Sequence, residues 1–120
     1  MLELKPFVPS GKDYSLAKDF FVQLGFRINW ETDELSELQC GGVRFLLQNY
    51  HNQEMQENLM MQVVVDNLDE FWGTLSESGV LARFESVKAK APTDFPWGRE
   101  VHLIDPAGVC WHFAASSGTQ

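Results

Sequence analysis

The sequence has little that would carry it into a bilayer, onto nucleic acid or through a secretory route. No apolar run approaches the roughly 20 residues of a helical span; Gln62 interrupts the best of them, Leu59 to Val65. No basic stretch followed by an apolar core opens the chain, so no signal peptide is expected. Basic side chains are scarce, nine Lys and Arg against seventeen Asp and Glu, which leaves a net charge of −8. Such a surface repels nucleic acid and anionic membrane, and it gathers cationic ligands. Cysteine is rare too: Cys40 and Cys110 stand far apart in no metal-type spacing. A reduced, cytoplasmic chain with no nucleic-acid or membrane partner is the expectation.

Aromatic residues are plentiful. Nine Phe and four Trp in 120 residues belong to a globular chain able to bury about two thirds of its unfolded surface. Glu3 to Val8 reads as a short strand that Pro9 ends at a sheet edge, because proline has no N–H to give a ladder. Leu16, Ala17, Phe20, Phe21 and Leu24 recur at helical spacing from Asp13, and Gly25 stops that helix. Phe26 to Thr32, Leu35 to Cys40 and Val43 to Asn49 read as strands, joined through Asp33-Glu34 and Gly41-Gly42. Tyr50 to Asn58 is polar, has no period, and reads as a linker.

The order then starts again. Leu59 to Val65 reads as a strand, and Leu68, Phe71, Trp72 and Leu75 mark a helix stopped by Gly79. Strands are expected at about Leu81 to Val87, Arg99 to Ile104 and Val109 to Ala114, with Ser116 to Gln120 frayed. The repeat predicts an α+β domain of two βαβββ modules, 1–50 and 59–116. Two curved four-stranded sheets with helices outside would leave a concave face, a common ligand site.

The end of the chain draws most attention. Asp105-Pro106-Ala107-Gly108 reads as a tight turn, with Asp capping it and Pro at its second position. Ahead of it, Lys88 to Gly98 reads as a long loop that offers Phe95 and Trp97 to solvent. With Leu24-Gly25-Phe26, the duplicated order and the Asp105 to Gly108 turn, the chain resembles the vicinal oxygen chelate superfamily. The run Pro96-Trp97-Gly98-Arg99-Glu100, the turn and Cys110-Trp111-His112-Phe113 are similar to the C-terminal segment of bleomycin resistance proteins. Val8-Pro9, Phe20-Phe21 and Leu68-Asp69-Glu70 fit the same pattern.

The resemblance implies a ligand cleft touched by Trp97, Phe95, Trp30, Gln48 and His112. It also implies a homodimer that exchanges its N-terminal strand at Pro9, and a bulky, planar, cationic antibiotic of the bleomycin type as ligand. Metal-dependent relatives place ligands on the first strand of each module and on the last strand. Here those positions fall at Pro6 or Phe7, at Met60 or Met61 beside Gln62, and at His112. One imidazole makes no divalent-metal site, so no metal, no cofactor and no catalysis are expected. The other reading is an enzyme of this fold, or a binder of a different small molecule.

Two further routes to catalysis fail on geometry. Cys110 and His112 share a strand face but sit about 7 Å apart, so Cys110 reads as structural. If the turn pairs Ile104 with Val109, His102 and His112 point to opposite sides and form no acid–base pair.

Overall fold

The computed structural model describes residues 1–116; the expectation for the tail beyond Ser116 lies outside them. It contains two four-stranded mixed sheets with helices packed on one side of each, outside its bare face. The first module is β1 (Phe7–Pro9), α1 (Tyr14–Leu24), β2 (Arg27–Glu31), β3 (Leu35–Cys40) and β4 (Val43–Gln48). The second is β5 (Met60–Val65), α3 (Leu68–Glu77), α4 (Val80–Arg83), β6 (Lys88–Phe95), β7 (Gly98–Ile104) and β8 (Cys110–Ala115), with α2 (Gln53–Asn58) between the modules. The sheet orders, β1-β4-β3-β2 and β5-β8-β7-β6, are equivalent. In each, the first strand runs parallel to the last and the other neighbours are antiparallel. The duplicated order read from the sequence is therefore the architecture.

Caps and apolar periods explain the two long helices. Asp13 accepts the Leu16 N–H at 2.9 Å and Asn67 accepts the Glu70 N–H at 3.0 Å, each satisfying an orphan donor of a first turn. From α1, Ala17, Phe20 and Phe21 are buried; from α3, Leu68 and Leu75. Phe71, half-buried, stacks on Phe113 at 4.4 Å between ring centroids. The modules share one core. Trp111 of β8 meets Phe21 of α1 at 5.3 Å and Phe45 of β4 at 5.1 Å, and Phe20 meets Phe84 at 5.4 Å. Each fully buried aromatic contributes about 1.5–3 kcal/mol, so this junction ties the two halves together.

Four expectations need correction. First, β1 is only Phe7–Pro9; Leu2 and Leu4 stand free of it, with relative exposures of 101% and 88%. Pro9 does close the strand, at a sheet edge. Second, the polar stretch after Tyr50 holds the short helix α2, started by Asn52, which accepts the Met55 N–H at 3.0 Å. Six residues are too few to print an apolar period.

Third, no strand spans Leu81 to Val87. Gly79 adopts φ +81°, a left-handed conformation open to glycine, and one helical turn follows it. Val80, Phe84 and Val87 are buried from that turn and the loop after it. Fourth, the expected long loop is mostly β6. Its polar Lys88-Ala89-Lys90 alternation and Pro92 suit an edge strand, where one ladder face needs no donors, and the register slips between Lys90 and Thr93. No helix among the described residues is long and apolar enough to cross a membrane.

Candidate functional site

The bare face of the second sheet carries the densest chemistry. On β7, Glu100 and His102 lie two residues apart and share that face; on β8, His112 sits directly across from His102. This register corrects the expectation that the two histidines point apart. Asp105 to Val109 form a five-residue connection, so Ile104 pairs with Cys110 rather than Val109. The Asp105 N–H donates to the Val109 carbonyl at 3.0 Å, and its buried carboxylate accepts from Ala107 N at 2.9 Å, Val109 N at 3.0 Å and Trp111 Nε1 at 2.9 Å. One aspartate thus caps the turn and anchors a core tryptophan. Burial pushes its carboxyl up to about 6, against the pull of those N–H donors.

Glu100 is only 2% exposed. Its Oε1 lies 2.9 Å from His102 Nε2 and 3.1 Å from His112 Nδ1, and its Oε2 accepts from Gln62 Nε2 at 3.1 Å. Burial disfavours the charge, but hydrogen bonds from His102, Trp97, Gln62 and His112 outweigh it and hold the carboxyl down to about 2. It is therefore a fixed anion at neutral pH.

Above this carboxylate the rings stack in a column. Trp97 lies flat on Phe95 (5.0 Å, 9° between planes), Phe95 lies flat on His102 (4.9 Å, 9°), and His102 meets His112 at 4.0 Å. The β6–β7 hairpin makes this possible. Phe95 pairs with Gly98, so Pro96 and Trp97 form the whole tip, and Gly98 at φ +145° takes a bend that a side chain would strain. Trp97 rests on the Phe95 ring and bonds towards Glu100, yet it is 64% exposed. It divides two clefts. One of about 630 Å³ at the start of α3 is lined by Asp66, Asn67, Asp69, Phe95 and Arg99; the other, about 280 Å³, lies over Gln62, Val64, Glu100 and Ala114. Three carboxylates, Asp66, Asp69 and Asp94, border the first, and Glu100 alone the second; Arg99, which lines both, is engaged by Asp69 and Asp94, each at 3.3 Å.

The expected site residues fall into two groups. Phe95, Trp97 and His112 converge on the second sheet. Trp30 and Gln48 lie on the first: Trp30, 44% exposed, opposes Glu37 just past a bulge in β2, and Gln48 ends β4 opposite Leu35. No ring contact or hydrogen bond links the two groups among the described residues. Glu37 is the first sheet's counterpart of Glu100: buried, opposite the residue that follows the bulge, and bonded by Lys5 Nζ at 2.8 Å and Asn29 Nδ2 at 2.9 Å. Those bonds, Lys5 foremost, lower its pKa.

Sequence reading missed the roles of Gln62, His102 and Glu100. The signal was present as Glu100-x-His102 with His112, but it becomes legible only once the turn is counted as five residues. Pro6, Phe7, Met60 and Met61 offer no nitrogen or oxygen side-chain ligand, so the metal positions implied by the resemblance do not fit an ion here. Cys40 and Cys110 are free thiols.

No family model matches the chain, and no curated protein matches it in sequence. Solved structures do match in fold. The bleomycin-binding protein of Streptomyces verticillus, solved with copper(II)-bleomycin, superposes with a TM-score of 0.83 at 22% identity over 98% of both chains. A bleomycin resistance determinant encoded on the transposon Tn5 gives 0.81 at 20% identity, covering 98% of this chain and 99% of that one. The lactoylglutathione lyase of Agrobacterium tumefaciens gives 0.68 at 16%, covering 97% and 95%. The fold is thus that of the vicinal oxygen chelate proteins, binders and enzymes alike.

Proposed function

We propose that this chain is a non-catalytic binding protein that sequesters a bulky, planar, cationic antibiotic of the bleomycin type. The observation that carries the reading is the exposed Trp97 indole, laid flat on Phe95 beside the buried Glu100 anion. A planar cation stacked there gains about 0.5–1.5 kcal/mol per ring pair beyond area burial, and more where its charge lies over a ring. The acidic border of the larger cleft adds long-range attraction. Fold neighbours whose ligand is bleomycin support the choice of ligand class.

The same proposal includes a homodimer with exchanged N-terminal strands. Trp30 and Gln48 lie on a different sheet from Trp97, so a cleft using both groups needs the bare faces of two chains. Leu2 and Leu4 are uncovered in the single chain, and Pro9 stiffens the hinge behind them. A closed two-fold exchange covers the arms and leaves no edge to propagate.

Calorimetric titration with copper-loaded bleomycin tests the function. Saturable binding at one equivalent per chain supports it; absence of binding at tens of micromolar refutes it. The second reading is an enzyme of this fold acting on another small molecule. Its support is the Glu100, His102 and His112 cluster.

A further inference from the structure

We infer that Glu100, His102 and His112 form a binding site for one divalent transition-metal ion on the bare face of the second sheet. This site is distinct from the positions that metal-dependent relatives suggest, with which it shares only His112, and it stands independently of the antibiotic reading. One ligand atom from each residue lies within 4.8 Å of the other two. The carboxylate oxygen is already 2.9 and 3.1 Å from the two ring nitrogens. A tetrahedral ion with bonds near 2.1 Å sets its ligand atoms roughly 3.4 Å apart. Two of the three separations are near that value, and the third lies within 4.8 Å.

The backbone fixes this arrangement. Two ligands alternate on one strand and the third is the cross-strand partner of one of them, so ladder hydrogen bonds set the spacing before any ion arrives. The surroundings act as an outer shell. Gln62 holds Oε2 at 3.1 Å and thereby presents Oε1 as a single donor. Phe95 lies flat against the His102 ring at 4.9 Å and fixes its plane. Outer partners of this kind orient ligands. The histidine side chains are 25% and 20% exposed, so an ion can reach the cluster from solvent. Two imidazoles and one carboxylate select zinc, cobalt, nickel or copper over magnesium or calcium.

The test uses Co²⁺ and Zn²⁺ alone with the full chain. After metal-free preparation, the wild type is expected to bind one Co²⁺ saturably in the micromolar range, with visible d–d bands, and one Zn²⁺ in competition. His102→Asn and His112→Asn should abolish the bands. Gln62→Leu, which removes no ligand, should weaken binding about tenfold or more, and it covers the case in which a histidine variant fails to fold. His51→Gln and the Cys40→Ser/Cys110→Ser pair should bind as the wild type does. No saturable binding below about 100 μM would overturn the inference. So would binding that survives in folded His102→Asn and His112→Asn, or binding lost with His51 or the cysteines.

Discussion

Replacing Asp105 by Asn should change how stability depends on pH, by an amount that the structure supplies. Asp105 is buried and accepts three N–H groups, two from its own turn and one from Trp111. Burial raises its pKa from 3.8 to about 6, so the folded chain holds this proton more tightly than the unfolded chain does. Its contribution to stability is therefore complete below pH 3.8 and is lost as pH rises through about 6. Between pH 5 and pH 7.5 the loss is about 1 kcal/mol. Asn keeps an oxygen for the turn N–H groups but has no proton to release. Urea unfolding of both proteins at pH 5.0 and 7.5 measures the effect. The wild type should lose about 1 kcal/mol more than Asp105→Asn over that interval, because every other titrating group is common to both. Glu100 works in the opposite sense and lower down: its pKa is depressed from 4.5 to about 2, so what it adds is present above 4.5 and lost as pH falls towards 2. Equal slopes in the two proteins would refute the reasoning, since the three N–H donors would then have outweighed burial.

Three further outcomes are expected. Trp97→Ala should weaken antibiotic binding by about 2 kcal/mol or more, as a central aromatic anchor does, with little loss of fold stability because the indole is mostly exposed; a large drop in melting temperature at unchanged affinity would reverse that assignment. Deleting residues 1–8 should convert a sedimenting dimer into a weak or monomeric species that no longer binds, and a stable wild-type monomer that still binds would rule out strand exchange. Phe21→Ala should cost about 3–5 kcal/mol in chemical denaturation, because its ring meets Phe20, Phe26, Phe45 and Trp111; a cost under 1 kcal/mol would show that the inter-module junction repacks freely.

The duplicated architecture was legible because α1 and the central strands carry their apolar residues at clear periods. β6 was not, because an edge strand needs no apolar face and its Lys-Ala-Lys-Ala run looks like solvent-exposed loop. The turn Val80 to Arg83 was mistaken for a strand because its four residues are too few for a helical period to show. At the site, Trp97 and Phe95 were legible as exposed aromatics next to a Pro-Trp-Gly corner. The meeting of His102 with His112 was hidden by a single residue of hairpin length. Since side chains alternate in a strand, one residue of slip reverses which face each occupies, and Asp105, by bonding out to Val109, settles the count.

Glu37 and Glu100 occupy equivalent places in the two copies of the repeat, but their neighbours have diverged. Lys5, on the N-terminal arm, neutralises Glu37. Glu100 bonds no lysine or arginine among the described residues, and its charge is shared among two imidazoles, an amide and an indole N–H. An undiverged duplication would have presented two matching anionic spots per chain. The copies instead divide the labour, one carboxylate spent on fastening the arm and the other left to attract a cation. The stoichiometry expected from this divergence is one ligand per chain, although each chain carries the repeated half twice.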